Sequence, residues 1–223
     1  MRIRKLTLPV TDVTKASKFF GEVLQLRTNG PHVIIGWSII ELIEDKSASA
    51  GGVHLAFNVP PNRFQAAKEW LLDRCPLQTD TKGHDVFSFD ENWSAESIYF
   101  AGPDASILEL ISRHRLPDSD RNGPFHGSEI LCLSEVGLAT SNVTASCEHM
   151  IDAFCVEALG ASGEEFAALG SDEGLLIVTH RSRPWFPEGR QLPRASGLAV
   201  HIQTPRPGSF VSSAEDNWTV HSE

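Results

Sequence analysis

The sequence predicts an α+β protein whose curved mixed sheets are built from repeated βαβββ modules. Two observations predict it. Three segments share one opening design: an apolar strand, a tight polar turn and an amphipathic helix. Two of the modules also close on nearly the same strand, Ser38-Ile39-Ile40-Glu41-Leu42-Ile43 and Ser106-Ile107-Leu108-Glu109-Leu110-Ile111. Such internal self-similarity marks duplicated supersecondary units, each too small to bury its apolar face alone.

The first module opens on Lys5–Val10, with Asp12 in the N-cap position. Val13, Ala16, Phe20 and Val23 then recur at helical spacing. The second opens on His54–Val59. Pro60 and Pro61 introduce its helix, since proline is tolerated in a first turn, and Phe64, Ala67, Trp70 and Leu71 make the apolar stripe. The third opens on Glu135–Thr140, is capped by Asn142, and carries Val143, Met150, Ile151, Phe154 and Ala158 on a helix that Gly160 can end. These openings align Lys5, His54 and Glu135 on one position, and the closing strands align Glu41 with Glu109. The third module closes on Leu175–Thr179, with no acid at that place. Residues 1–115 are expected to form a complete two-module domain. Residues 116–129, rich in Asp, Pro, Gly and Asn, read as a linker, 130–204 as the third module, and 205–223 as a C-terminal tail.

The chain of 223 residues is 41% hydrophobic and 22% charged, ordinary values for a well-packed globular protein. With a net charge of -10 and no basic cluster, a nucleic-acid or anionic-membrane partner is not expected. The basic start lacks an apolar run behind it, and the four cysteines show no CxxC spacing. Reduced thiols and a cytoplasmic address follow as expectations.

His54-Leu55-Ala56-Phe57-Asn58-Val59-Pro60 resembles the metal-histidine strand of vicinal-oxygen-chelate proteins. Ser97-Ile98-Tyr99-Phe100-Ala101-Gly102-Pro103-Asp104-Ala105-Ser106-Ile107-Leu108-Glu109-Leu110 resembles their closing hairpin. That family includes glyoxalase I, extradiol dioxygenases, fosfomycin-resistance transferases and bleomycin-binding proteins, so the resemblance implies the glyoxalase/dioxygenase fold. It also implies a divalent ion (Fe, Mn, Zn or Ni) held by His54 and Glu109, with Glu41 as third ligand. Glu109 is thereby the candidate catalytic carboxylate, in a lyase, isomerase or dioxygenase acting on a small oxygen-bearing metabolite. The chain departs from the family pattern at Lys5, whose ammonium cannot coordinate a metal. Thr7 faces the same side two residues on, where the fosfomycin-resistance enzymes hold substrate with a threonine, and is a substrate-binding candidate with Lys5.

A second reading of the same residues needs no metal. Glu109 lies between leucines, where an unpaired carboxylate is costly. Lys5, projecting into the cup, would bridge Glu41 and Glu109 in a pocket that sequesters a small ligand, as bleomycin-binding relatives do. Tyr99 is the candidate hydroxyl for a substrate hydrogen bond, against core packing as the alternative. Trp37, Trp93, Trp185 and Phe186 are candidates for a pocket wall, and Glu135 is expected at a solvated or hydrogen-bonded rim. Three modules cannot all pair within one chain, so a homodimer through residues 130–204 is expected.

Overall fold

The computed structural model describes residues 1–48, 51–89 and 92–223. The first module runs β1 (Arg2–Val10), α1 (Val13–Lys18), β2 (Arg27–Asn29), β3 (His32–Ile35) and β4 (Ser38–Glu44). The second runs β5 (His54–Val59), α2 (Phe64–Leu72), β6 (Leu77–Gln78), β7 (Phe87–Ser88), β8 (Ala95–Ala101) and β9 (Ile107–Arg113). The third has β10 (Cys132–Thr140), α3 (Val143–Phe154), β11 (Phe166–Ser171) and β12 (Gly174–His180). Three further strands follow, β13 (Ala199–Gln203), β14 (Gly208–Val211) and β15 (Thr219–Ser222).

The expected caps form. Asp12 accepts from the Lys15 amide at 2.9 Å and Asn142 from the Ala145 amide at 3.0 Å. The third helix stops earlier than Gly160: Cys155 turns left-handed (φ 55°) and donates its amide to Ile151, and Ala158 instead bridges to Leu169.

Two sheets result, ordered β14-β15-β13-β1-β4-β3-β2 and β11-β12-β10-β5-β9-β8-β6, with β7 also on β8. In each, two opening strands meet antiparallel at the centre, β1 with β13 and β10 with β5. Each opening strand also pairs in parallel with its own closing strand. Modules one and two therefore do not pair with each other as a unit over 1–115. The second pairs with the third, and the first with the chain's last strands. Residues 205–223 are not a tail but carry β14 and β15, which complete a reduced fourth module. Thr204-Pro205-Arg206-Pro207 stands where a helix would lie, and these two prolines leave little chance of one. Trp218 anchors the end, buried, with Nε1 donating to the Ala139 carbonyl at 2.7 Å. The reason for expecting a homodimer, an unpartnered third module, is thereby removed: among the described residues every module has its mate within the chain.

Alternation along the strands sends Leu6, Leu8, Leu55, Phe57, Val136 and Leu138 into one continuous core with the helices. The intervening residues face the opposite, concave side of each sheet. No helix among the described residues is long and apolar enough to cross a membrane.

Candidate active site

The pairing register assembles the site. Glu109 on β9 and Glu135 on β10 are both direct cross-strand partners of one residue, Ala56 on β5. Ala56 is small and buried, so the two carboxylates converge over it, and His54 stands two residues along on the same face. His54 Nε2 lies 3.4 Å from Glu109 Oε2 and 3.6 Å from Glu135 Oε2, with all three side chains buried. Ser97 donates to the other oxygen of Glu109, and Arg113, fully buried, donates to the other oxygen of Glu135.

Burial pushes the Glu109 carboxyl up to about 7, helped by the charge of Glu135 and opposed by His54, Ser97 and Arg113. At His54 burial pulls downward, but the hydrogen bond to Glu135 and the charges of Glu109 and Glu135 outweigh it, so the imidazole sits above its ordinary value. The Tyr99 phenol is raised well above its usual range, first by burial and then by the two glutamates.

One imidazole nitrogen and two carboxylate oxygens, all within 4.8 Å of one another, make a mixed N/O donor set. Ligands about 2.0–2.2 Å from a divalent ion stand about 3.0–3.5 Å apart when adjacent, so the separations at His54 suit such an ion. The donor chemistry suits Zn, Fe, Mn or Ni. The fourth equivalent position, on the closing strand of the third module, is Ile177, which leaves that side of the cluster apolar.

A cavity of ≈ 250 Å³ opens above the three residues. Its walls are aromatic. The segment joining β12 to β13 crosses the cup and places Trp185 with its ring 4.9 Å from that of His54 and its Nε1 on the Gly52 carbonyl at 2.8 Å. Gly137 makes this possible, since a Cβ there would come within 2.7 Å of the Trp185 ring.

Of the residues singled out from sequence, the structure brings His54, Glu109 and Tyr99 to this cavity, together with Trp93, Trp185 and Phe186. It does not bring Lys5, Thr7 or Glu41. Those three lie in the corresponding position of the other sheet, where Thr7 is the cross-strand partner of both Glu41 and Ala199, as Ala56 is of Glu109 and Glu135. Lys5 Nζ meets Glu41 at 2.8 Å and Thr7 donates to Glu41 at 3.3 Å, and that ammonium holds the Glu41 carboxyl below its usual range. The expected bridge from Lys5 to Glu109 is therefore absent, because the two belong to different cups. Glu135 is not at a solvated rim but inside the cluster, paired to Arg113. Arg113 and Arg183 were not singled out at all. The signal for Arg113 was its place two strand periods after Glu109, on the same face.

No family model matches the chain, and no curated protein does. Solved structures do. A Bacillus subtilis protein provisionally described as a dioxygenase aligns over 100% of this chain and 85% of its own, at 14% identity and a TM-score of 0.62. Glyoxalase I from Zea mays aligns over 99% and 91%, at 16% identity and a TM-score of 0.55, and a mutant form of that enzyme over 99% and 92%, at 15% and 0.58. At these identities the likeness shows the fold alone: the chain has the glyoxalase/dioxygenase fold.

Proposed function

We propose that this chain is a divalent-metal-dependent enzyme, a lyase, isomerase or dioxygenase, acting on a small oxygen-bearing molecule in the cup of the second and third modules. The observation that carries this reading is the buried convergence of His54, Glu109 and Glu135, with donor atoms within 4.8 Å of one another. These three residues would hold the ion, which when bound supplies Lewis-acid stabilisation of negative charge on a substrate oxygen. The rest falls to the chain's own groups. Ser97 and Arg113 each hold one carboxylate oxygen and so fix the orientation of the other. Tyr99 stays protonated at neutral pH and can donate to a substrate oxygen. The aromatic walls keep water from the floor, which strengthens each electrostatic contact there.

Elemental analysis of protein purified without chelator tests the reading. Near-stoichiometric metal in the wild type and in Glu41→Ala, lost in His54→Ala, supports it. No metal in any of them after reconstitution refutes it. That result would favour a metal-free ligand-binding cup, a reading supported by the partners both carboxylates already have in Arg113, Ser97 and His54.

A further inference from the structure

Charge in this cavity is distributed unevenly. The floor holds the two glutamates with His54, while the half-buried end holds a cation, Arg183. Arg183 lies on the same crossing segment as Trp185. Its guanidinium carbon stacks 4.8 Å from the centre of the Phe166 ring. Among the described residues no carboxylate stands within ion-pair distance of it. Its neighbour Arg181, two residues earlier, is by contrast tied to Glu215 and to Asp216. Its place over Phe166 restrains the Arg183 side chain, and among the described residues no side chain takes up its guanidinium N–H groups, which leaves them available to an oxyanion.

The space between floor and guanidinium is lined by aromatic rings: Trp93 and Phe166 are tilted by 40° with ring centres 6.3 Å apart, and Tyr99 and Phe186 meet edge to face with centres 5.4 Å apart. Aromatic walls of this kind favour a planar ring, by stacking and edge contacts, over a saturated one of equal area. The volume of ≈ 250 Å³ limits the ligand to one ring or a small fused pair. An anionic group at the floor would face Glu109 and Glu135. The same group at the other end would meet Arg183.

We infer that the cup binds a planar aromatic anion, its charged group on Arg183 and its opposite edge towards His54, Glu109 and Glu135. This deepens the proposed function, on whose site it rests, by naming the substrate class, and it makes Arg183 the residue that selects for charge.

Calorimetric titration with three probes tests it: naphthoate, its neutral amide naphthamide, and the saturated decalin carboxylate. The expected result is naphthoate binding at least about tenfold tighter than either of the others, an advantage that shrinks with added salt. In Arg183→Gln the acid and amide should bind within about twofold of each other, while Arg183→Lys keeps part of the preference because it keeps the charge. Unchanged thermal midpoints in both variants establish that the cup is still folded. Equal binding of acid and amide by the wild type, or a preference that survives Arg183→Gln, overturns the inference. Equal binding of naphthoate and decalin carboxylate overturns its aromatic half. Metal content measured on the same samples separates the two proposals. Metal bound with no naphthoate bound sinks the inference and leaves the enzyme reading standing. Arg183-dependent naphthoate binding by a protein that takes up no metal does the reverse.

Discussion

Replacing Glu135 by leucine distinguishes a buried cluster from a solvated rim. Arg113 is fully buried, Glu135 is its close carboxylate partner, and Asp172 comes no nearer than 3.9 Å. Leucine keeps most of the volume, so what Glu135→Leu removes is chiefly the countercharge. Breaking one side of a buried pair costs about 3–5 kcal/mol, because the partner is left charged and desolvated. Arg113→Met should cost about as much for the mirror reason. The double variant should restore most of the loss, since an apolar pair of similar volume replaces both charges together. Urea unfolding in the presence of a chelator keeps metal binding out of the comparison. With a slope of about 3 kcal/mol per molar for a chain of this size, the single variants should shift the midpoint by more than about 1 M. A loss below about 1 kcal/mol in Glu135→Leu, the scale of an exposed ion pair, would refute the burial reasoning. Strictly additive losses in the double variant would refute the pairing.

Three further predictions concern the surroundings. In metal-free protein the Glu109 carboxyl, raised from 4.5 to about 7, keeps its proton longer folded than unfolded, so its contribution is lost as pH rises through that window. Urea midpoints should fall across it in the wild type and fall less in Glu109→Gln; identical slopes would count against the assignment. Gly137→Ala puts a Cβ about 2.7 Å from the Trp185 ring and 3.2 Å from the His54 Cβ, and should cost on the order of 1–3 kcal/mol while displacing the indole from the imidazole. Acrylamide quenching of tryptophan fluorescence should then increase, and unchanged quenching speaks against the packing described. Lys5→Ala breaks a half-exposed pair with Glu41 and should cost no more than about 1 kcal/mol, with metal uptake unaltered. Altered uptake would mean that the two cups communicate.

The fold was largely legible, because strand alternation and helix stripes are local patterns repeated along the chain. So were His54 and Glu109, each a polar residue set in an apolar strand. Glu135 was misplaced for a physical reason. Its partners come from β5 and β9, and the register that sets Glu135 opposite Ala56 depends on which modules pair, which no local pattern encodes. The same pairing, not any local pattern, assigns Lys5 and Glu41 to the other cup. The fourth module is not legible in the sequence because its helix is missing: residues 205–223 lack the strand-turn-helix opening of the other three.

Internal duplication gives the chain two cups with matching strand pairing at their centres, and their side chains differ in the chemistry they offer. In the cup of the first and last modules, the positions equivalent to His54, Glu109 and Glu135 hold Lys5, Glu41 and Ala199. Lys5 and Glu41 neutralise each other in contact and alanine contributes no donor, so among the described residues the cluster of three close metal-type donors stands in the other cup. The cup of the first and last modules also stays open: Ile39 and Ile43 on its face are 38% and 40% exposed. The other cup is roofed by the segment that carries Arg183, Trp185 and Phe186. Its charges therefore act in a medium of lower dielectric, where a carboxylate pair can bind a cation or hold a proton near neutral pH. The connection between β12 and β13 serves two ends at once. It carries the chain from one sheet to the other, and it closes the one cup whose donors would be screened and weakened if water reached them freely.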